Sequence, residues 1–379
     1  MATILPTSRN VLIIAGDVSG DLHASNLVRE MKAQHPELNI TAMGGQRLKA
    51  VADNFLFDLA AKGASGFVAP LLKIPFWIKL LSMVRNYMDT QHPACVIVVD
   101  FYGFNSQVLG MARHRKIPAY YYVTPQVWAS RQYRTKSIAL NTKKAITIFP
   151  FEPEFHAKYG GNAVFLGNPL LDIMPQPEEK VFDGTYHLGL LPGSRVGEIK
   201  RHTELFYQTY REVLKQFPST KAYLFCVPEF DDAYYRELLG DKSASVELVR
   251  ETNYEQRAKM DFLITCSGTA TLENALLGVP MLVAYKMSAV TYRIAKAIIK
   301  VPYISLVNIL AKKEIVKEFI QDSANVKNLS GEVMSYFQNP GKMQNMREEL
   351  LKIRHSLGEP GVAKRAAELI LGEVFPQQN

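Results

Sequence analysis

The sequence holds only three cysteines, Cys95, Cys226 and Cys266, an odd set scattered over apolar runs. That speaks against a disulfide framework and for a reducing compartment. The usual metal-ligand spacings are missing too. There is no Asp-x-Asp, Cys-x-x-Cys or His-Glu-x-x-His, and the histidines are dispersed, so the expectation is no bound metal and no cofactor. Long hydrophobic runs are also lacking. The most apolar stretch, 67–88, is broken by Pro70, Lys73, Pro75 and Lys79, whereas a spanning helix needs about 20 mostly apolar residues. The first ten residues show neither the basic nor the apolar region of a secretory signal. The expectation is a cytoplasmic protein.

What remains describes a globular chain. Its 379 residues, 47% hydrophobic and 21% charged, are enough for two or three domains with full-sized cores. The net charge of +8 is unevenly spread, with Arg113, Arg115, Lys116, Arg131, Arg134, Lys136, Lys143 and Lys144 in one short stretch. Such a bias fits an anionic partner: nucleic acid, nucleotide phosphate or an acidic membrane face. Little aromatic interleaving and no recognised motif argue against nucleic acid.

Apolar strand-like runs alternate with helical patterns twice over. Strands are expected at 11–15, 40–43, 95–99, 119–123, 145–149 and 164–166, then at 188–191, 222–227, 247–249, 262–265, 281–284 and 303–306. Continuous apolar strands between helices imply parallel sheets covered on both faces. The fold class is therefore α/β, with two doubly wound Rossmann-like domains and a cleft between them. The expected division is 1–170, an acidic linker at 171–186, and 187–354, with a last helix near 355–375 that can return to the first domain. Ligands should bind at the carboxyl ends of the strands.

The run Cys266-Ser267-Gly268-Thr269-Ala270-Thr271-Leu272-Glu273 stands where a strand turns into a helix. Free N–H groups and the positive end of the helix dipole suit a phosphate there. Glu273, one turn further in, is placed to accept hydrogen bonds from ribose hydroxyls. A plain connection with a Ser or Thr cap fits the same residues. A second strand ends in Pro192-Gly193-Ser194-Arg195. Gly193 lets backbone approach a ligand and Arg195 can hold a diphosphate by paired N–H bonds; the alternative is a surface ion pair with Glu198.

The first strand-helix turn, Ala15-Gly16-Asp17-Val18-Ser19-Gly20-Asp21, is not a G-x-G-x-x-G, so the dinucleotide reading is weak. Asp21 is a candidate cap for the helix that follows. Asp100 closes the strand at 95–99, where apolar walls would raise its pKa toward that of a useful base; a helix cap or turn residue is the other reading. The stretch 67–88 fits a helix lying in a membrane interface, with Phe76 and Trp77 dipping in and Lys73 and Lys79 at the headgroups. It fits a core helix equally well.

Together these motifs resemble the lipid-A-disaccharide synthases, inverting glycosyltransferases of the GT-B type. The resemblance runs over nearly the whole chain and also draws on Val123-Thr124-Pro125-Gln126-Val127-Trp128-Ala129 and on Ser305-Leu306-Val307-Asn308-Ile309-Leu310-Ala311 with Glu318 and Gln321. It implies transfer of 2,3-diacylglucosamine from its UDP conjugate to 2,3-diacylglucosamine 1-phosphate, at the inner face of the cytoplasmic membrane. Position by position, it implies that Gly193, Ser194, Arg195, Ser267, Gly268, Thr269, Glu273, Asn308 and Gln321 serve the UDP-sugar. Ser19, Asp21 and Asn105 fall on the acceptor side, and Asp100 is the candidate base. The sequence departs from the family pattern at Asp17 (usually Glu), Tyr102 and Val307 (Pro), Ser130 (Trp) and Asn168 (His), and lacks the family's Met-Gly-x-x-Glu-Val piece around 62–68. A UDP-N-acetylglucosamine 2-epimerase or another glycosyltransferase of the same fold is the rival reading.

Overall fold

The computed structural model describes residues 8–60, 74–180, 184–240, 245–251, 253–288, 292 and 302–376. The chain divides into two compact units, Met1–Asp172 with Leu357–Asn379, and Ile173–Ser356.

In the first unit, seven strands form one parallel sheet: β1 (Asn10–Ala15), β2 (Asn39–Gly44), β3 (Asn54–Asp58), β4 (Cys95–Val99), β5 (Ala119–Tyr122), β6 (Lys144–Thr147) and β7 (Ala163–Phe165), in the order β3-β2-β1-β4-β5-β6-β7. The central strands are apolar on both sides, and every residue of Cys95–Val99 is buried, because helices cover each face. On one face Val18–Gln34 and Val362–Val374 pack Ala24, Leu27, Met31, Ala366 and Ile370 against the sheet. On the other, Ile74–Gln91, Tyr102–His114 and Arg134–Asn141 contribute Leu80, Val84, Val108, Leu109 and Ile138. Each of the larger side chains among these adds about 1.5–3 kcal/mol when fully buried, and the alanines less. The last helix is fixed at its start by Asp172, whose carboxylate accepts the N–H groups of Gly361, Val362 and Ala363 at 2.7, 2.9 and 2.8 Å.

The second unit repeats the plan with β8 (His187–Leu191), β9 (Lys221–Phe225), β10 (Glu247–Val249), β11 (Phe262–Thr265), β12 (Met281–Tyr285) and β13 (Glu318–Ile320), ordered β10-β9-β8-β11-β12-β13. All pairings in both sheets are parallel. The segment expected as an acidic linker is mostly strapped to this unit: Lys180 pairs with Asp261 at 3.0 Å, and Arg354 donates to Gln176 at 3.2 Å.

Two edge strands, β3 and β13, escape the sequence pattern because they are only partly buried, and β13 is also only three residues long. The strand expected at 303–306 is instead a turn leading into the helix Leu306–Ala311. Ser305 caps that helix by accepting the N–H of Asn308, and Glu318 accepts the N–H groups of Ile304 and Ser305. A strand ladder there would lose these local bonds.

Candidate active site

In a doubly wound sheet the chain leaves neighbouring strands in opposite directions where the strand order reverses, and this opens a crevice at their carboxyl ends. In the second unit the reversal lies between β8 and β11. The two loops that follow these strands are Pro192-Gly193-Ser194-Arg195 and Cys266-Ser267-Gly268. They line a cavity of about 270 Å³ with Gly193, Ser194, Ser267, Gly268, Thr269 and Glu273 on its wall.

Local conformation explains the residue types. Gly193 has φ +112°, and a Cβ there would stand 2.7 Å from the Glu198 side chain. Gly268, at φ +151°, precedes the helix Thr269–Leu276 and supplies no side-chain cap, so the first amides of that helix remain available to an anion. The Ser267 hydroxyl is already used, donating to Ile304 O at 2.7 Å. Arg195 precedes the helix Val196–Leu214 and keeps 76% of its side chain exposed, with Nη1 3.3 Å from Glu198 Oε1. The surface ion pair is thus present, and the guanidinium stands in solvent beside the cavity loops. Glu198 is the fixed partner: it also accepts from Tyr285 OH at 3.0 Å and from the N–H of Ser194 at 3.2 Å.

One residue of this cavity was not legible beforehand. Arg257 is mostly buried between two carboxylates, with Nε 2.7 Å from Glu251 Oε1 and Nη1 2.7 Å from Glu273 Oε2. It lies against the Tyr254 and Phe225 rings at 5.1 and 5.6 Å. Burial works against its charge, but Glu273 and Glu251 outweigh burial and raise its pKa. The guanidinium thereby holds Glu273 in one orientation at the cavity wall. The available sequence signal was the position of Glu251 just past the carboxyl end of β10.

Two residues carried over from the resemblance are engaged elsewhere. Asn308 is fully buried: its Nδ2 donates to Val316 O and Glu318 Oε1, both at 2.8 Å, and its Oδ1 accepts the N–H groups of Ile315 and Val316. Every bond its amide can form is used within the protein. Gln321 pairs through both amide atoms with the Met287 backbone, at 2.9 and 3.2 Å. In this structure both residues shape loops, and neither is on the cavity wall.

In the first unit the reversal lies between β1 and β4. Asp17 ends the β1 loop and caps the helix Val18–Gln34, accepting Gly20 N–H at 2.6 Å. The sequence suggested Asp21 for that task. Asp21 is instead buried and ties down the next turn, accepting from Gly45, Leu48 and Arg47 N–H at 2.6, 3.1 and 3.0 Å. This removes it from the free acceptor-side groups. Ser19 is exposed in the first turn of the same helix.

Asp100 follows β4 with φ +43°, and Phe101 follows at +47°. Burial, with the nearby Asp17 charge adding to it, pushes the Asp100 carboxyl up to about 6. Asn105 is buried beneath it. Its Nδ2 donates to Val99 O and Asp100 O at 3.1 and 2.8 Å, so it holds backbone and does not face outward.

The helix Ile74–Gln91 carries the expected interfacial residues. Phe76 and Trp77 are half-buried: Trp77 packs 5.8 Å from Phe104 and 6.1 Å from Phe101, and Phe76 packs 5.6 Å from Phe57. They are not free apolar surface. The exposed apolar residues on that helix are Ile74 and Ile78, beside an exposed Lys79. Lys73 lies outside the described residues. No helix among the described residues is long and apolar enough to cross a membrane.

The sequence profile of lipid-A-disaccharide synthetase matches residues 11–371. The lipid-A-disaccharide synthase of Syntrophus aciditrophicus (strain SB) is 32% identical over 373 residues, covering 96% of this chain and 97% of that protein. The chain belongs to the lipid-A-disaccharide synthase family.

Solved structures agree on the fold. A UDP-GlcNAc 2-epimerase from Neisseria meningitidis bound to UDP-GlcNAc superposes with TM-score 0.62 at 13% identity, covering 96% of this chain and 99% of that one. The glycotransferase of kitacinnamycin gives 0.61 at 16%, covering 97% and 99%. At such identities only the GT-B architecture is shared.

Most departures from the family pattern have local roles. Tyr102 lies under the Arg134 guanidinium at 4.4 Å, Asn168 bonds Ile148 O and Leu170 N–H, and Val307 is buried. The missing piece around 62–68 falls outside the described residues.

Proposed function

We propose that this protein is a lipid-A-disaccharide synthase. It transfers 2,3-diacylglucosamine from UDP-2,3-diacylglucosamine to 2,3-diacylglucosamine 1-phosphate with inversion, giving the β-1′,6-linked disaccharide 1-phosphate and UDP. The observation that carries this reading is the pair of glycine-bearing loops after β8 and β11, which lie next to each other at the reversal of strand order in a chain of this family.

The donor belongs to the second unit. Its diphosphate meets the amides at the start of Thr269–Leu276, and Arg195 turns from Glu198 to add a guanidinium. Glu273, oriented by Arg257, accepts from the ribose hydroxyls. In the first unit Asp100 takes the proton from the acceptor 6-hydroxyl as that oxygen attacks the anomeric carbon. The bond from that carbon to the diphosphate breaks in line, and the charge on departing UDP is met by Arg195 and the helix start. Because both substrates carry acyl chains, the enzyme works at the inner face of the cytoplasmic membrane. Exposing each CH₂ to water costs about 0.8 kcal/mol, so the protein comes to the lipid.

The test is incubation with UDP-2,3-diacylglucosamine and the 1-phosphate acceptor, followed by mass analysis. The disaccharide should form, with UDP released only when acceptor is present. A 2-epimerised UDP-sugar without transfer would replace this reading with the epimerase.

A further inference from the structure

The basic stretch singled out in the sequence is not accounted for by the transfer reaction. Between Asp100 and Glu152 the sequence contains no aspartate or glutamate. In the fold, this acid-free segment supplies the helices Tyr102–His114, Val127–Ser130 and Arg134–Asn141 on one face of the first sheet. Beside them Ile74–Gln91 has one carboxylate, Asp89, which Arg115 binds with Nε and Nη2 at 2.6 and 2.9 Å, and the short helix Glu152–Ala157, with Phe155 on the same core, exposes Glu154, paired with Lys158 at 3.3 Å. The helices on the opposite face, Val18–Gln34 and Val362–Val374, carry Asp21, Glu30, Glu368 and Glu373. The sheet is thus electrostatically two-sided, with a cationic outer layer over only one of its cores.

That layer also exposes apolar groups at both margins. At one margin are Ile74 and Ile78, 47% and 60% exposed; at the other are Tyr133 and Leu140, 71% and 59% exposed. Tyr133, Lys136 and Leu140 follow at helical spacing on one side of Arg134–Asn141, and Arg131 and Lys136 are exposed. Between the margins the helix Tyr102–His114 exposes Gly103, Gln107 and Gly110 and, at its end, Arg113 and His114, so no negative charge intervenes. Aromatic contacts link the two sides: Trp77 packs on Phe101 and Phe104, and Arg134 lies over Tyr102 and over Tyr133 at 4.4 and 5.9 Å.

We propose that the membrane contact has two feet, and that Tyr133 and Leu140, with Arg131 and Lys136, form the second on an anionic bilayer. Exposed aromatic and aliphatic side chains next to cations suit a headgroup interface, and the exposed carboxylates on the described helices of this face, Asp89 and Glu154, are each paired with a cation, Arg115 and Lys158. Two feet flanking the start of Tyr102–His114 would set the first unit in a fixed orientation, with the loop of Asp100 at the same end of the sheet. The assignment rests on the membrane-surface reading above and adds to it a specific second contact.

The experiment is sedimentation of the full chain with vesicles of phosphatidylcholine containing phosphatidylglycerol, and with phosphatidylcholine alone. Three double variants are compared: Tyr133→Ser with Leu140→Ser, Arg131→Gln with Lys136→Gln, and Ile74→Ser with Ile78→Ser. Two charges at about 1 kcal/mol each, against 1.4 kcal/mol per tenfold, predict roughly 25-fold weaker anionic binding for the charge pair, with the difference shrinking at high salt. The Tyr133/Leu140 pair should weaken binding to a similar order. All are exposed positions, and unchanged melting temperatures check that the fold survives. If the Ile74/Ile78 pair weakens binding while both variants of the second foot bind as wild type, the second foot is refuted and the membrane reading stands. If all three bind as wild type, both fall. Binding indifferent to phosphatidylglycerol, or tighter binding to duplex DNA than to vesicles, overturns the lipid assignment.

Discussion

Replacing Asp100 by Asn should slow transfer strongly and at the same time make the protein more stable. Asparagine tolerates a left-handed backbone as aspartate does, so φ +43° at this position is kept. The folded carboxyl lies at about 6, mainly because of burial, against an ordinary value near 3.9. A group raised in the folded state binds its proton more tightly there than in the unfolded chain, so its ionised form destabilises the fold. That cost is absent below about pH 4, grows as pH rises to about 6, and is complete above it. At about 1.4 kcal/mol per pH unit the full product is close to 3 kcal/mol; residual solvent contact trims it to on the order of 2. A gain of that size would raise Tm by roughly 4–8 °C in a unit of this size at pH 7, and by little at pH 4. Loss of the base should lower the rate by about 10² to 10⁴-fold. In the wild type, kcat/KM should fall about tenfold per pH unit below about 6. Melts of both proteins from pH 4 to 8 and a pH profile of the wild type check the argument. A rate unaffected down to pH 5, or an equal stability difference at pH 4 and 7, would refute it.

Arg195→Ala should lower kcat by about 10² or more with the melt unchanged, and Arg195→Lys should recover little, since a point charge does not copy the paired N–H geometry; near-normal turnover in the alanine variant would remove Arg195 from the site. Chelator should leave transfer unaltered, because the proposed chemistry uses only arginine and helix amides; full loss with EDTA, restored by magnesium, would overturn that mechanism. Arg257→Gln leaves Glu251 and Glu273 as neighbouring carboxylates and should weaken binding of UDP more than of its 2′,3′-dideoxy analogue. Equal weakening of both would show that Arg257 acts on the fold and not through Glu273.

The central strands were legible because parallel strands covered on both faces must be apolar throughout, as Val11 to Ala15 and Cys95 to Val99 are. The loops at Gly193 and Gly268 were legible because the sequence marks turns with glycine. Edge strands β3 and β13 were not, since half-covered positions relax the apolar pattern. The partners of polar residues were the least legible part. Asp21 and Asp17 are four residues apart and both suit an N-cap, and only the fold, by bringing the turn at Gly45 to Leu48 over Asp21, decides which one caps Val18–Gln34. Arg257 was missed for the same reason: its partners Glu251 and Glu273 are 6 and 16 residues away, and no local spacing announces a guanidinium shared between them.

The two units handle the same topological position with different chemistry. In the proposed mechanism the backbone of the second unit itself meets the ligand, and the loops there have Gly193 and Gly268, whose missing Cβ makes positive φ inexpensive. In the first unit the same mechanism asks for a displayed carboxylate, which glycine would not supply. Asp100, Phe101 and Val123 all take positive φ with side chains attached, at a cost of about 1 kcal/mol or more each. The surroundings hold that strain in place. Asn105 bonds the carbonyls of Val99 and Asp100, Tyr121 OH donates to Asp100 O at 2.7 Å, and the Asp100 N–H reaches Val123 O at 3.2 Å. Opposite them Gly16 leaves room for Phe101, whose ring would stand 2.0 Å from any Cβ placed there. A simple strand-to-helix turn could be completed by an ordinary cap without strain. The concentration of buried bonds around the Asp100 backbone sets it apart from Asp17, which caps Val18–Gln34, and from Asp21, which holds the turn at Gly45 to Leu48.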